Sequence, residues 1–507
     1  MTEIPEESIQ PIEEMKPPVN TQPTMAGDVA RLASGTMLAQ LIGVVVSPIL
    51  ARMFSPSDYG NYQVFNSIFY ILVVLASLRY EAAIVLPKDD DDAINLFALS
   101  ALLAIGFALV TVPIFAVFGK WLVTMLGTPD LYPYLWGISL NLLLMGIFNA
   151  ANYWNTRTRK FGRLSLARLN NSAGSSLSQL AAGWAGWLSV GGLIGGTLVG
   201  SFLGTAILVG QIWHDDAKAF VTRINWHSIL NVALRFKKFP LYSTWAGLLS
   251  TISLQLPALL LSSFFSAESA GYYSLGNRIL RLPAQLIGAA ISQVLFQRAS
   301  KAANDGTLGE LVEVSFTRLV TLGMFPFLLL AVMGREAFSV VYGSAWSEAG
   351  VYSQILAIWT FFTFIGAPLT TINIVLERQE VNLVFNISLF LTRLASLIIG
   401  GVFGSPRLAL ILFSITGTFS WIWYTFWITD HCGIPLTRSL SLIGRYLLTC
   451  SPLILLIALL KWVFMASGET IFFVSVALMV IYYSIILIRD NEIRLLIISL
   501  LPIRKKD

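Results

Sequence analysis

Apolar runs of roughly 20 residues recur along the whole chain, separated by short polar turns. Each run is long enough to cross a bilayer as a helix, and none alternates polar with apolar as a barrel strand would. The pattern predicts an all-α polytopic membrane protein. Its fourteen expected spans lie at 30–51, 60–80, 93–118, 131–154, 165–188, 192–213, 241–264, 270–296, 312–333, 350–375, 382–403, 408–429, 441–465 and 470–488. They group into a six-helix bundle (27–213), a linker (214–238), a second six-helix bundle (239–432) and two extra helices (433–489). The acidic, Pro-rich segment 1–26 reads as a disordered tail without the marks of a signal peptide. Residues 490–507 read as a basic amphipathic tail on the membrane surface.

Two segments repeat at a constant offset. FSPSDYGNYQVFN (54–66) and FSAESAGYYSLGN (265–277) align Phe54 with Phe265, Ser55 with Ser266, Gly60 with Gly271, Tyr62 with Tyr273 and Asn66 with Asn277. The shift is six spans, an even number, so the two bundles point the same way. Such parallel repeats place a transport site between the bundles and alternate access by rocking them. The repeated Ser-x-x-x-x-Gly-x-Tyr is expected to form a hairpin, with Gly permitting the turn. Gly192, Gly196, Gly200 and Gly204, four apart, predict a face where another helix approaches closely. Pro48, Pro113, Pro257, Pro283 and Pro368 interrupt spans and mark candidate bends.

Span 8 breaks the apolar pattern. Ser274, Arg278, Arg281, Gln285, Gly288 and Ser292 follow steps of three and four and share one helical face. Arg278 lies about 15 Å into the span at 1.5 Å per residue, too deep to reach water easily. In lipid each guanidinium would cost about 3 kcal/mol or more, so the stripe must face a wet cavity or the bundle interior. Asn382, Asn386, Arg393 and Ser396 form a weaker parallel in span 11. Few acids are placed to neutralise these charges. Guanidinium stays charged and binds phosphate bidentately, so a cavity lined this way suits an anionic substrate.

Composition agrees: 56% of residues are hydrophobic and 12% charged, with a formal net charge of +5. A soluble domain carries about twice that charged fraction. Lysines and arginines concentrate in the loops after spans 4, 6, 8 and 12 and in the C-terminal tail, which sets both termini in the cytoplasm. Arg157, Arg159, Lys160, Arg163 and Arg168 are assigned to the loop between spans 4 and 5. The acidic PKDDDDA (87–93) fits a turn whose carboxylates favour the start of span 3. Two cysteines, Cys432 and Cys450, and three scattered histidines exclude a disulfide framework and a metal site. No phosphate loop for an ATP-driven pump occurs. The longest expected outer loop, 334–349, has no histidine and no paired aspartates for an enzyme of lipid-linked glycans. No cofactor and no nucleic-acid partner is expected.

The segments ASGTMLAQLIGVVVSPILARMFSPSDYGNYQVF, LRYEAAIVLP and GYYSLGNRILRLPAQLIGAAISQVLFQRAS resemble the polysaccharide and O-antigen flippases of the multidrug/oligosaccharidyl-lipid/polysaccharide flippase superfamily. The resemblance implies two six-helix lobes plus two helices, and movement of an undecaprenyl-pyrophosphate-linked oligosaccharide from the inner to the outer leaflet. It further implies coupling to H⁺ or Na⁺, and contact with membrane lipids and with polysaccharide polymerase and chain-length machinery. The expected substrate contacts are Ser274, Asn277, Arg278, Arg281, Gln285 and Arg393, with Glu81 as the ion-coupling candidate. The alternatives are an ion-coupled drug antiporter or a lipid II flippase of the same superfamily.

Overall fold

The computed structural model describes residues 25–490 and Arg494. The expected N-terminal tail falls outside the described residues except at 25–26, where α1 begins, and the C-terminal one except at 490 and 494. Among the described residues the chain is helical, with no strand. The first lobe contains α1 (Met25–Met53), α2 (Pro56–Ala76), α3 (Asp90–Met125), α4 (Trp136–Arg157), α5 (Phe161–Trp184) and α6 (Val190–Arg223). A short α7 (Trp226–Arg235) leads to the second lobe: α8 (Thr244–Phe264), α9 (Ala267–Pro283), α10 (Ala289–Asn304), α11 (Leu308–Tyr342), α12 (Ser347–Gly366), α13 (Ile372–Val375), α14 (Gln379–Val402) and α15 (Pro406–His431). Last come α16 (Leu436–Trp462) and α17 (Gly468–Arg489).

Both lobes use one packing plan. In the first, α5 lies between α1 and α6, α4 joins α6 to α3, and α2 packs on α4. In the second, α14 lies between α8 and α15, α12 joins α15 to α11, and α9 packs on α12. Ten helices are long and apolar enough to cross a membrane. The other long helices, α2, α4, α5 and the α9–α10 rod, are more polar because they turn polar faces toward their neighbours. Large apolar side chains stand bare on the outside, Val117 at 71% and Leu448 at 73% exposure, as suits lipid and not water. Exposed Trp184, Trp226 and Trp462 sit at helix ends, where an interfacial belt forms.

Helix interiors broken by proline need new donors for the carbonyls they orphan. Ser47 Oγ donates to the Val44 carbonyl (2.9 Å) that Pro48 frees, and Ser451 Oγ does the same for Leu448 (2.9 Å) before Pro452. In α11, Pro326 frees the Leu322 carbonyl, and the Tyr483 hydroxyl of α17 donates to it at 2.8 Å. Tyr482 donates to the neighbouring Thr321 carbonyl at 2.6 Å, so α17 is fastened to α11 by two phenols. The α6 glycines meet α5 closely: a Cβ on Gly200 would lie 2.4 Å from the Asn171 carbonyl oxygen.

Three expectations need correction. Gly60 and Gly271 are not turn residues; they stand in the first turns of α2 and α9. A Cβ on Gly60 would lie 1.6 Å from the Ala267 carbonyl oxygen, and one on Gly271 would lie 2.0 Å from that of Pro56. The repeat glycines exist so that each repeat can rest on the other, reciprocally. The helices start instead on Ser55, capping through Asp58, and on Ser266, capping the Ser269 amide. Segment 334–349 is mainly helix, because α11 continues to Tyr342 and stops only at Gly343, with φ 102°. Arg168 is no loop residue: α5 begins at Phe161 and carries it inward by two turns.

Candidate functional site

The lobes are sealed at the end where α1 turns into α2 and α8 into α9. Besides the two glycine contacts, Arg52 donates to the Val340 carbonyl at 2.8 Å and Trp346 Nε1 to the Ala51 carbonyl at 2.6 Å. Ser262 and Ser263 donate to the carbonyls of Leu126 (2.7 Å) and Met125 (2.8 Å). Deeper in, a polar ladder crosses the seam. Ser274 Oγ donates to Gln63 Oε1 at 2.8 Å, Gln63 Nε2 to Ser67 at 3.3 Å, and Ser67 to Gln255 Oε1 at 3.0 Å. Ser274 therefore joins the lobes.

One turn beyond the ladder stands Arg278, exposed, on the rod that continues into α10. Its Nη2 would lie 2.7 Å from a Cβ placed on Gly43, so the guanidinium reaches across to α1 where only glycine leaves room. Gly43 lies ten residues before the end of α1 and Arg278 eleven after the start of α9. At 1.5 Å per residue both are about 15 Å from the sealed end. Arg281, half-buried, donates from Nε to Asn277 Oδ1 at 3.2 Å. Immediately after Pro283 the rod loosens into a π segment, Ala284–Gly288, which leaves Gln285 exposed. Past this segment α10 packs on α11 and α13 of its own lobe.

Arg393 on α14 is buried, with 7% exposed. Its Nη1 donates to Ser253 Oγ on α8 (3.2 Å), and its guanidinium carbon lies 5.8 Å from the Trp359 ring and 5.7 Å from the Phe413 ring. It is within electrostatic reach of Arg281 and Tyr273. None of the ion pairs among the described residues involves Arg278, Arg281 or Arg393. The structure thus gathers Ser274, Asn277, Arg278 and Arg281 along one rod, with Arg393 behind them in the second lobe. Glu81 is elsewhere, in the 3₁₀ turn after α2, 5% exposed and accepting from Ser77 Oγ at 2.5 Å.

Sequence reasoning missed the first lobe's polar contribution. Arg168 donates to Thr36 of α1 at 2.7 Å and Asn152 of α4 at 3.5 Å. The signal was available in α5, where Ser165, Arg168, Ser172, Ser175 and Gln179 follow helical spacing. Cys432, past the end of α15, offers no reactive thiol, since burial pushes its pKa up to about 11. No group of histidines, cysteines or carboxylates among the described residues could hold a metal ion. What remains is a set of uncompensated guanidiniums and amides between two lobes, fitted to bind an oxyanion.

A family model described as "Polysaccharide biosynthesis protein" matches residues 49–351. The chain belongs to that family. Proteins it resembles include the succinoglycan biosynthesis transport protein ExoT of Rhizobium meliloti (strain 1021), 24% identical over 62% of each chain. The lipopolysaccharide biosynthesis protein WzxC of Escherichia coli (strain K12) is 23% identical over 73% of each chain. The match thus spans about three fifths of ExoT, 62% of its length. Among solved structures, the lipid II flippase MurJ in an inward closed conformation superposes with a TM-score of 0.70 at 13% identity, covering 90% of this chain and 98% of that one. An inward-facing multidrug resistance transporter of the MATE family gives 0.60 at 15% identity, over 80% and 98%. The family member described here shares that fold and is a multi-pass membrane protein.

Proposed function

We propose that this chain is a flippase that carries an undecaprenyl-pyrophosphate-linked oligosaccharide from the inner to the outer leaflet for surface polysaccharide synthesis. The observation that carries the reading is the pair Arg278 and Arg281, set mid-depth between the lobes with no carboxylate partner. Arg278, Arg281, Asn277 and Gln285 meet the pyrophosphate and the first sugars. Ser274 opens its ladder to Gln63 as the lobes part. Arg393 adds positive potential from behind. The polyprenyl tail stays in lipid, so no phosphate crosses hydrocarbon unpaired. A carrier of cationic drugs would need carboxylates where these arginines stand.

The basic loops orient both termini toward the cytoplasm of a bacterial inner membrane, which makes the sealed end the outer one. The form described is then inward-facing, and all fourteen long helical rods cross the bilayer. Transport is driven by H⁺ or Na⁺, with Glu81 as the coupling carboxylate, and no bond of the substrate is broken. A polysaccharide polymerase and its chain-length machinery receive the product.

The test is complementation of a host that lacks its own flippase, with surface polysaccharide read beside membrane expression. Arg278→Ala and Arg281→Ala are expected to abolish export at normal expression, with partial recovery in the Arg→Lys variants. Lys keeps the charge but loses the bidentate fork. Normal export by both alanine variants would remove the arginines from the site and this reading with them.

A further inference from the structure

We propose that Tyr70 of α2 forms the subsite for the sugar joined to the pyrophosphate, with its ring stacked on that sugar and its hydroxyl bonded to it. The inference rests on the flippase reading and adds to it the contact that recognises the glycan. α2 stands inside the protein, packed against α3, α4 and α6 of its own lobe and α8 and α9 of the other. Gly60, Gln63, Ser67, Tyr70 and Val74 follow steps of three and four and share one helical face. The other four members meet the second lobe. Gly60 meets the Ala267 carbonyl, Gln63 bonds Ser274 and Ser67 bonds Gln255. Val74 Cγ1 would lie 3.4 Å from a Cβ on Gly247 of α8. Tyr70 lies between Ser67 and Val74 on this face, yet it is 47% exposed, the only exposed side chain from Asn61 to Ala76. The opposite face, with Val64, Phe65, Ile68 and Phe69, is buried in the first lobe's core. Tyr70 therefore looks into a gap between the lobes and not into lipid.

The gap lies beside the arginines. The Tyr70 phenol is within electrostatic reach of Arg278, and its hydroxyl has no hydrogen-bond partner among the described residues. Counted from the sealed end, Tyr70 stands fourteen residues after the start of α2 and Arg278 eleven after the start of α9. At 1.5 Å per residue the phenol is about 5 Å further from that end than the guanidinium. That offset matches the width of one pyranose ring, so a pyrophosphate on Arg278 and Arg281 puts its own sugar at Tyr70. A pyranose is neutral, with an apolar C–H face and a rim of hydroxyls. A phenol answers it with an aromatic face and one polar tip. The guanidiniums hold any diphosphate alike, whereas Tyr70 responds to what the diphosphate carries.

The experiment titrates full-length purified protein in detergent with undecaprenyl pyrophosphate and with undecaprenyl-pyrophosphoryl glucose and galactose. Native mass spectrometry reads the bound fraction. Wild type is expected to bind the better hexosyl lipid about tenfold more tightly than the bare pyrophosphate. Tyr70→Leu is expected to erase that difference. Tyr70→Phe keeps the stacking face and loses the hydroxyl bond, so a preference of about threefold remains. Arg278→Ala is expected to weaken all three lipids. Should Tyr70→Leu not fold, judged by its unfolding midpoint, Tyr70→Phe carries the test, and an unchanged preference there overturns the subsite. Equal affinity of wild type for all three lipids overturns it too, as does a sugar preference that survives in Tyr70→Leu. An equal loss of all three lipids in folded Tyr70→Leu gives the ring to the pyrophosphate or the polyprenyl tail and also overturns it. In each of these outcomes, binding that depends on Arg278 leaves the flippase reading standing. No binding of any of the lipids by wild type removes that reading, and the subsite with it.

Discussion

At the scale of single residues, function rests on what stands beside a charge. Arg278 has its place because Gly43 has no side chain. Gly43→Ala should push the flexible guanidinium aside and lower export. Gly43→Leu should fill its site and abolish export with expression intact. Equal export by both variants would mean that Arg278 does not work across the seam. Tyr483 shows the same dependence in a structural role, since its hydroxyl covers the carbonyl that Pro326 leaves bare. Tyr483→Phe should cost about 1 kcal/mol, seen as a lowered unfolding midpoint, because the orphaned carbonyl faces protein and lipid, not water. The midspan arginines and the Pro-Gly punctuation were legible one residue at a time. The partners of Gly43 and Tyr483 were not, because each lies in a distant part of the chain, 161 positions away for Tyr483.

At the scale of elements, the repeat becomes a joint. Gly60 and Gly271 let α2 and α9 cross at backbone distance, each motif resting on its copy. Gly60→Leu or Gly271→Leu should prevent the sealed end from closing. The protein would reach the membrane yet fail to export, and thiol reagents would reach the seam from both sides. The sequence showed the repeat but suggested turns, because a glycine's neighbour across a joint leaves no local pattern. The acidic loop is a second joint. Asp90 pairs with Arg157 (2.9 Å), Asp91 with Arg223 (3.0 Å) and Asp92 with Arg235 (2.6 Å). The Tyr80 hydroxyl also donates to the Ala233 carbonyl at 2.9 Å, so α7 is tied to the first lobe from two elements. Exposed pairs are each worth about 1 kcal/mol or less, so single Asp→Asn changes should be mild. Only Asp92 and Tyr80 reach α7, so Asp92→Asn combined with Tyr80→Phe should release α7 and speed proteolysis at 224–226, measured as digestion rate in membranes.

For the whole molecule, one end is shut by contacts between the two repeats. Gln285, exposed within the π segment, should be reachable from the cytoplasmic side alone. In a chain without native thiols, Gln285→Cys is expected to react with an impermeant maleimide in inverted vesicles and stay silent in intact cells. Labelling from the outside would reverse the proposed orientation. Leaving Cys432 in place should add little background at pH 8, because its thiol is pushed up to about 11 and is almost wholly protonated there.

Hydropathy, charge and a recurring motif determined that the chain is an all-α membrane protein, that it repeats, and that span 8 carries cations facing away from lipid. These are local or periodic properties, and the bilayer enforces them residue by residue. Tertiary structure decided what each polar group meets. Ser274 meets Gln63 and the repeat glycines meet carbonyls of the opposite lobe. Arg393 meets two rings and one hydroxyl but no carboxylate. A buried charge or a missing side chain has a meaning only through its neighbour, and the neighbour is chosen by how the lobes pack.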